Sequence, residues 1–285
     1  MTFNPCHIDF SRPPLLPLPP FTYRPMIPTL TRHRIGENMT HYFLTGASAG
    51  IGAALAKRLC EHGHKVSAVA RRQDRLASMA AEIPNFWATG CDVTMADQLA
   101  ESVAAAETAQ GGIDIAILNA GIYQPQDGST IDPAIYANHM DVNYMGVVNA
   151  LAAIVPRMIA RGGGQIVVIS SVAGWRGLPK SAAYGPTKAA LISLAESLYF
   201  DLQPKNIRLQ VICPGFVESE ATAVNDFEMP GLMTADAAAQ AIIDAMAKND
   251  FLVHFPKSFT RSMAWLRFLP DKWFFRIVGK RTGYS

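Results

Sequence analysis

The amino-acid sequence predicts a single α/β domain, a doubly wound parallel sheet with helices on both faces, followed by a helical tail. Between residues 41 and 255 short apolar runs alternate with stretches of helical spacing, and no internal repeat is visible. Strands separated by helices require right-handed crossovers, and so a parallel sheet covered on both sides. The composition agrees: 285 residues with 49% hydrophobic and 17% charged side chains describe one folded unit, not a fibrous or disordered chain.

In chain order, 41–45 (His-Tyr-Phe-Leu-Thr) reads as the first strand, and 51–61, with Ile51, Leu55 and Leu59 at intervals of four, as the first helix. Strand 65–70 precedes helix 73–81, strand 85–89 precedes helix 96–108, and the Ile-rich run 113–118 makes a fourth strand. The interval 133–160 has helical spacing and leads into strand 165–170; helix 182–202 and strand 208–213 follow, and 251–255 is strand-like. The helical stretches are rich in Ala, the strongest helix former.

Residues 1–38 contain eight of the 19 prolines, with Pro13, Pro14, Pro17, Pro19 and Pro20 close together, so neither helix nor central strand persists there and a disordered extension is expected. The segment lacks the basic start, continuous apolar run and small-residue cleavage site of a secretory signal; a targeting or proline-recognition role stays open. Met39 stands a residue or two before the first strand, which suggests that residues 1–38 arise from start-site choice.

The net charge of +2 conceals a segregation: residues 1–38 carry +2 and 251–285 carry +6, which leaves −6 for 39–250. An acidic body argues against nucleic acid as a partner, because phosphate contacts need clustered Lys and Arg. The four cysteines, Cys6, Cys60, Cys91 and Cys213, form no metal-ligand spacing, so no metal site or disulfide framework is expected and a reducing, cytoplasmic compartment is the simplest reading. No apolar run approaches the roughly 20 residues of a membrane span, which limits membrane contact to a peripheral one.

The first strand runs into Thr45-Gly46-Ala47-Ser48-Ala49-Gly50-Ile51-Gly52 and then a helix. Glycines at such a turn allow close approach of a phosphate, and free amides at the helix start favour its charge. The spacing is not the common GxGxxG. Further on come Asn119-Ala120-Gly121 after the fourth strand, Asn143-Tyr144-Met145-Gly146, Ser171 thirteen residues before Tyr184, Lys188 four residues after it, and Pro214-Gly215 after the sixth strand. Five motifs in this order resemble the short-chain dehydrogenase/reductase family over about residues 41–255. The resemblance implies a Rossmann-like fold, a nicotinamide cofactor, a small-molecule carbonyl or alcohol substrate, and a homo-oligomer, dimer or tetramer. It assigns cofactor contacts to Gly46, Ser48, Gly50, Ile51, Gly52, Asn119, Ala120, Gly121, Pro214, Gly215, Val217 and Ser219, and an adenine-side contact to Asp92 and Val93, although a helix-capping Asp92 would look the same.

Cofactor choice is read at the end of the second strand, where a carboxylate would hold the ribose hydroxyl of NAD and repel a 2′-phosphate. Ala70 occupies that place and Arg71 and Arg72 follow, which favours NADP(H) over NAD; the other reading is that the two arginines only solvate the next helix. Ala49 stands where some relatives carry a basic residue, so Arg71 has more to do. Leu118 and Ser219 are further, minor departures from the family pattern.

Tyr184 and Lys188 lie on the same helix face, so the ammonium is expected near the phenol, favouring the phenolate. A fall of ~3 units from the ordinary value would represent about 4 kcal/mol. Tyr184 would then act as general acid in reduction and base in oxidation. The resemblance implies that Ser171 holds the substrate oxygen, that Lys188 also grips the nicotinamide ribose, and that Asn143 supports a proton relay. Ser170 competes for the serine role, but spacing selects Ser171.

Residues 214–234 would form a lid, in which Phe216, Val217, Phe227, Met229, Leu232 and Met233 suggest a hydrophobic substrate or simply packing on the body. No Arg or Lys falls in this segment, which disfavours a strongly anionic substrate. Residues 251–285 hold nine of the 26 aromatic residues. In the tail, 256–285, Phe259, Met263, Leu266, Leu269, Trp273 and Ile277 make an apolar helical stripe that Pro270 interrupts, starting a second helix. The stripe either packs on the domain or a partner subunit, or lies with its basic neighbours at a membrane interface. The expected activity is NADP(H)-dependent interconversion of a carbonyl and an alcohol. A 3-oxoacyl thioester reductase is the alternative enzyme, and a non-catalytic dinucleotide-binding regulator the alternative of another class.

Overall fold

The computed structural model describes residues 39–225 and 227–284; the proline-rich segment 1–38 and its expected disorder lie outside the described residues. Seven parallel strands form one sheet in the order β3-β2-β1-β4-β5-β6-β7. They are β1 (His41–Thr45), β2 (Lys65–Ala70), β3 (Phe86–Gly90), β4 (Ile115–Leu118), β5 (Gly164–Ile169), β6 (Ile207–Pro214) and β7 (Leu252–Phe255). Consecutive side chains on β1 part company. Phe43 joins the core under α3 (Ala96–Gln110), α5 (Gly146–Ala160) and α6 (Tyr184–Leu202), while Tyr42 and Leu44 join the core under α1 (Gly50–Glu61), α2 (Gln73–Glu82) and α7 (Ala235–Met246). The three-layer architecture is the doubly wound, Rossmann-like one that the alternation of elements predicts, and the strand order reverses between β1 and β4, where such sheets bind ligands at their carboxyl ends.

The element boundaries of β1 and β2 coincide with the predicted runs. The fourth strand is shorter than the run 113–118: Ile113 is buried in the core, but the ladder begins at Ile115. The interval 133–160 is α4 (Pro133–Met140), a π turn (Asp141–Met145) and α5, with Asp132 capping α4 through an acceptor for the Ala134 amide. Contrary to the expectation drawn from apolar runs, this composite stretch is long and apolar enough to cross a membrane, with a mean hydropathy of 1.3 over its best 18 residues. Its apolar positions are spent elsewhere: Val147, Ala150, Ile154 and Met158 are buried in the core beside the sheet.

Helix α7 was not among the predicted elements. Thr234 caps it by accepting from the Ala237 amide at 3.1 Å, and its Ala238, Ala239 and Ile242 are fully buried. The tail forms α8 (Lys257–Leu266) and α9 (Asp271–Thr282), the second starting just after Pro270 as predicted. The apolar stripe changes register at that break. Met263 of α8 is buried, but on α9 the buried residues are Phe274 and Val278, and Trp273 is turned outward. Arg176 ties this corner to the body: it donates to the carbonyl oxygen of Leu269 at 2.5 Å, pairs with Asp271, and lies 3.9 Å over the Phe274 ring.

Candidate active site

The turn from β1 to α1 is shaped to admit an anion. Ala49 at the helix start offers no side-chain cap, and the first turn carries no acidic residue, so the leading amides and the positive end of the helix dipole stay available. Gly46 has φ +73°, and a Cβ there would stand 2.7 Å from the Ala120 Cα; a Cβ on Gly52 would stand 2.2 Å from the Gly46 carbonyl oxygen. The turn is held from below by Thr45. Its hydroxyl accepts from the amides of Asn119 and Ala120 at 2.9 and 3.0 Å, while the Asn119 side chain donates to the carbonyls of Thr45 and Gly46. Asn119 is therefore a strut between β1 and β4.

A cleft of about 1210 Å³ starts at this turn, passes Asp92, Val93 and Gly121, and continues over Ser171, Tyr184 and Lys188 to the segment 214–231 and the tail helices. Arg71 and Arg72 both line it, but differently. Arg71 is exposed, whereas Arg72 donates to the Ser48 hydroxyl at 3.1 Å and pairs at 2.5 Å with Glu220, which also pairs with Arg75 at 2.5 Å. These two guanidiniums hold the Glu220 carboxyl below its ordinary range. Asp92 accepts from the amide and hydroxyl of Thr94 in a local turn and does not cap α3, whose N-cap, Met95, offers no side-chain hydrogen bond; Asp92 also lines the cleft. Ser219 lies over the glycine turn, its Cβ 3.3 Å from where a Cβ on Gly50 would be. Val217, Pro214 and Gly215 line the same wall, and Val217 is anchored by a bridge to Met233.

At the centre, Tyr184 and Ser171 line the cleft side by side, and Ser171 caps a short 3-10 turn by accepting from the Ala173 amide at 3.1 Å. Ser170 is turned away, its hydroxyl donating to the Lys188 carbonyl at 2.8 Å. The Lys188 ammonium donates to the Ile169 carbonyl at 2.9 Å and lies 5.6 Å from the centre of the Tyr184 ring. The expected lowering of the phenol does not occur: burial pushes Tyr184 up to about 12, the Ser171 side chain opposing it, and burial pulls Lys188 down to about 8. With its ammonium directed to the Ile169 carbonyl, Lys188 does not bring the resting phenol below its ordinary value.

Asn143 is fully buried in the π turn, and both ends of its amide are engaged. Its oxygen accepts from the Ile122 amide at 2.7 Å, and its nitrogen donates to the Ile122 carbonyl at 3.0 Å and to the Thr187 hydroxyl at 3.1 Å. It clamps the loop after β4 to α6, one residue from Lys188, and irregular helical turns of this kind recur at functional sites. Tyr123, on that loop, meets the Tyr184 ring edge-on at 5.2 Å and donates to Asn225 of the covering segment at 3.1 Å.

Sequence reasoning missed several lining residues. Ser181, one turn before Tyr184, is buried on the cleft wall with a hydroxyl that has no hydrogen-bond partner among the described residues. Lys180 and Arg281 also line the cleft, so the cationic groups absent from 214–234 arrive from the loop before α6 and from α9. Among the described residues no cluster of His, Cys, Asp and Glu is arranged to hold a metal.

The geometry can be set beside known proteins. A family model described as short chain dehydrogenase matches residues 40–228. An uncharacterized oxidoreductase of Myxococcus xanthus is 35% identical over 235 residues, 81% of this chain and 93% of its own length. A solved short chain dehydrogenase from Burkholderia cenocepacia in complex with NADP superposes with a TM-score of 0.73 at 26% identity, covering 86% of this chain and 97% of that one. The closed form of serine dehydrogenase complexed with NADP+ gives 0.71 at 26% identity, covering 77% and 96%. The family match starts one residue before β1 and runs into the segment over the cleft, so it spans Ser171, Tyr184 and Lys188 as well as the glycine turn: the chain belongs to the short-chain dehydrogenase family of oxidoreductases.

Proposed function

We propose that the protein interconverts a carbonyl and an alcohol with NADP(H), Tyr184 serving as the general acid and base. The observation that carries this reading is that Ser171, Tyr184 and, one helical turn on, Lys188 line the same cleft as the uncapped start of α1. The fit for a dinucleotide is good: the glycine turn takes the pyrophosphate, Asp92 and Val93 flank the adenine end, Arg71 and Arg72 meet a 2′-phosphate, and Gly121, Lys188 and the wall 214–219 border the nicotinamide end. Ala70 in place of a carboxylate supports NADP(H), as do the NADP-bound relatives.

When bound, the nicotinamide supplies the hydride that adds to the carbonyl carbon. Ser171 holds the carbonyl oxygen by a hydrogen bond. Tyr184, protonated at neutral pH, donates its proton to that oxygen as the C–O double bond opens, and recovers one from solvent. The Lys188 ammonium stabilises the phenolate formed transiently, and Asn143 is a positioning residue that fixes the loop and helix on either side of it. Oxidation runs the same transfers in reverse.

Phe216, Phe227 and Phe259 support a hydrophobic substrate, Phe216 lying 5.9 and 5.5 Å from the other two rings on the cleft wall. A 3-oxoacyl thioester is the second reading, favoured by Lys180 and Arg281 at the cleft, which suit an anionic carrier group. Exposed Tyr199 and Phe200 on α6 support self-association into a homo-oligomer. Following NADPH oxidation across hydrophobic aldehydes, ketones, steroids and acyl thioesters tests the reading. Turnover of hydrophobic carbonyls is expected, a preference for thioesters selects the second reading, and no oxidation with any class refutes both.

A further inference from the structure

Helices α8 and α9 are fastened to the body through Thr260, Met263, Phe274 and Val278, yet their outer side is not polar. Trp265, Phe268, Trp273 and Phe275 are 76, 76, 57 and 67% exposed, four bulky aromatics within eleven residues. Trp265 stands two positions from buried Met263, on the opposite side of α8, and Trp273 and Phe275 flank buried Phe274 like wings. Between those wings Lys272, Arg276 and Lys280 recur at gaps of four, a cationic ridge pointing away from the core. The one acid of this region, Asp271, is already paired with Arg176.

We propose that this face docks the protein on an anionic lipid bilayer, its aromatic rings at headgroup depth and its cations against the lipid phosphates. Three properties select that occupant. Trp and Phe beside Lys and Arg match the interfacial zone, where apolar burial and attraction to anionic lipid add. A symmetric second copy would press one cationic ridge against another, because a two-fold interface meets itself. The polarity is local, +6 on 251–285 against −6 on 39–250, so the same field that draws the tail to an anionic surface turns the body away from it. The surface is independent of the proposed reaction and survives if the substrate assignment fails.

Flotation of the full chain with vesicles of phosphatidylcholine alone, and of phosphatidylcholine with phosphatidylglycerol, tests the proposal. The protein is expected to rise with the anionic vesicles only, to be released by raised salt, and to shift its tryptophan emission to the blue on binding. Replacing Lys272, Arg276 and Lys280 by Gln, all exposed side chains outside the cleft, weakens binding by about fivefold per cation removed. The double variant Trp265→Ser, Phe268→Ser, checked for an unchanged thermal midpoint, shows a smaller emission shift, that of Trp273, and weaker flotation. Absence of the wild-type protein from the anionic vesicle fraction overturns the proposal. So does equal flotation with both vesicle types, or light scattering that shows lipid-independent association abolished by the same substitutions.

Discussion

Arg72 and Glu220 are ion-paired at 2.5 Å across the mouth of the cleft, although 148 positions separate them in the chain. Arg75 shares the same carboxylate, so a cofactor phosphate arriving beside Arg71 and Arg72 competes with Glu220 for at least one guanidinium. Glu220→Gln is therefore expected to tighten NADP+ binding roughly two- to fivefold, the scale of an exposed ion pair, and to leave NAD+ binding alone. Arg71→Ala should weaken NADP+ by about tenfold or more, since a charge-assisted hydrogen bond to phosphate is lost. Fluorescence titration with both cofactors reads the two effects, and an unchanged preference in Arg71→Ala would count against the assignment.

Tyr184→Phe removes the proton donor and keeps the ring that meets Tyr123. Turnover should fall by about 10²- to 10⁴-fold, the usual contribution of a positioned acid, with NADPH binding nearly unchanged. Retained turnover would refute the role of Tyr184.

The pH dependence follows from two opposite shifts. A phenol raised to about 12 keeps its proton through the neutral range, so the donor is not limiting there. Lys188, lowered to about 8, is cationic below that pH and neutral above it. The rate of carbonyl reduction should be flat below pH 8 and decline above it as the ammonium is lost. Lys188→Arg keeps the charge at all accessible pH and should move the break upward even if the plateau drops. A break that stays put in this variant would belong to another group.

Thr45→Val is nearly isosteric but strips the acceptor from two half-buried amides, those of Asn119 and Ala120. A loss of about 1–3 kcal/mol per unsatisfied donor is expected in chemical denaturation, and Thr45→Ser should restore most of it. Equal stability of the Val variant would show that water replaces the hydroxyl.

Much of the site was legible because its residues sit at fixed offsets on regular elements: Ser171, Tyr184 and Lys188 stand out by the spacing they share with the short-chain dehydrogenase/reductase family, and Gly46 and Gly52 by a turn that only glycine fits. What escaped depends on partners distant in sequence. The π turn around Asn143 is held by Ile122 and Thr187, neither of which leaves a local mark in 133–160. Glu220 and Ser181 read as ordinary loop residues until the fold brings them to the cleft. In the tail, periodicity carried through Pro270 puts Trp273 inward, but the break resets the helical phase and buries Phe274 instead. The phenol's upward shift was missed for a similar reason, since a four-residue spacing gives the face of Lys188 and not the carbonyl its ammonium chooses.

Arg281, Thr282 and Tyr284 line the same cleft as Gly46. During synthesis the phosphate-binding turn and the Tyr184 helix therefore leave the ribosome well before the wall that completes the substrate end. The cleft is complete only when α9 has emerged and folded back against the body.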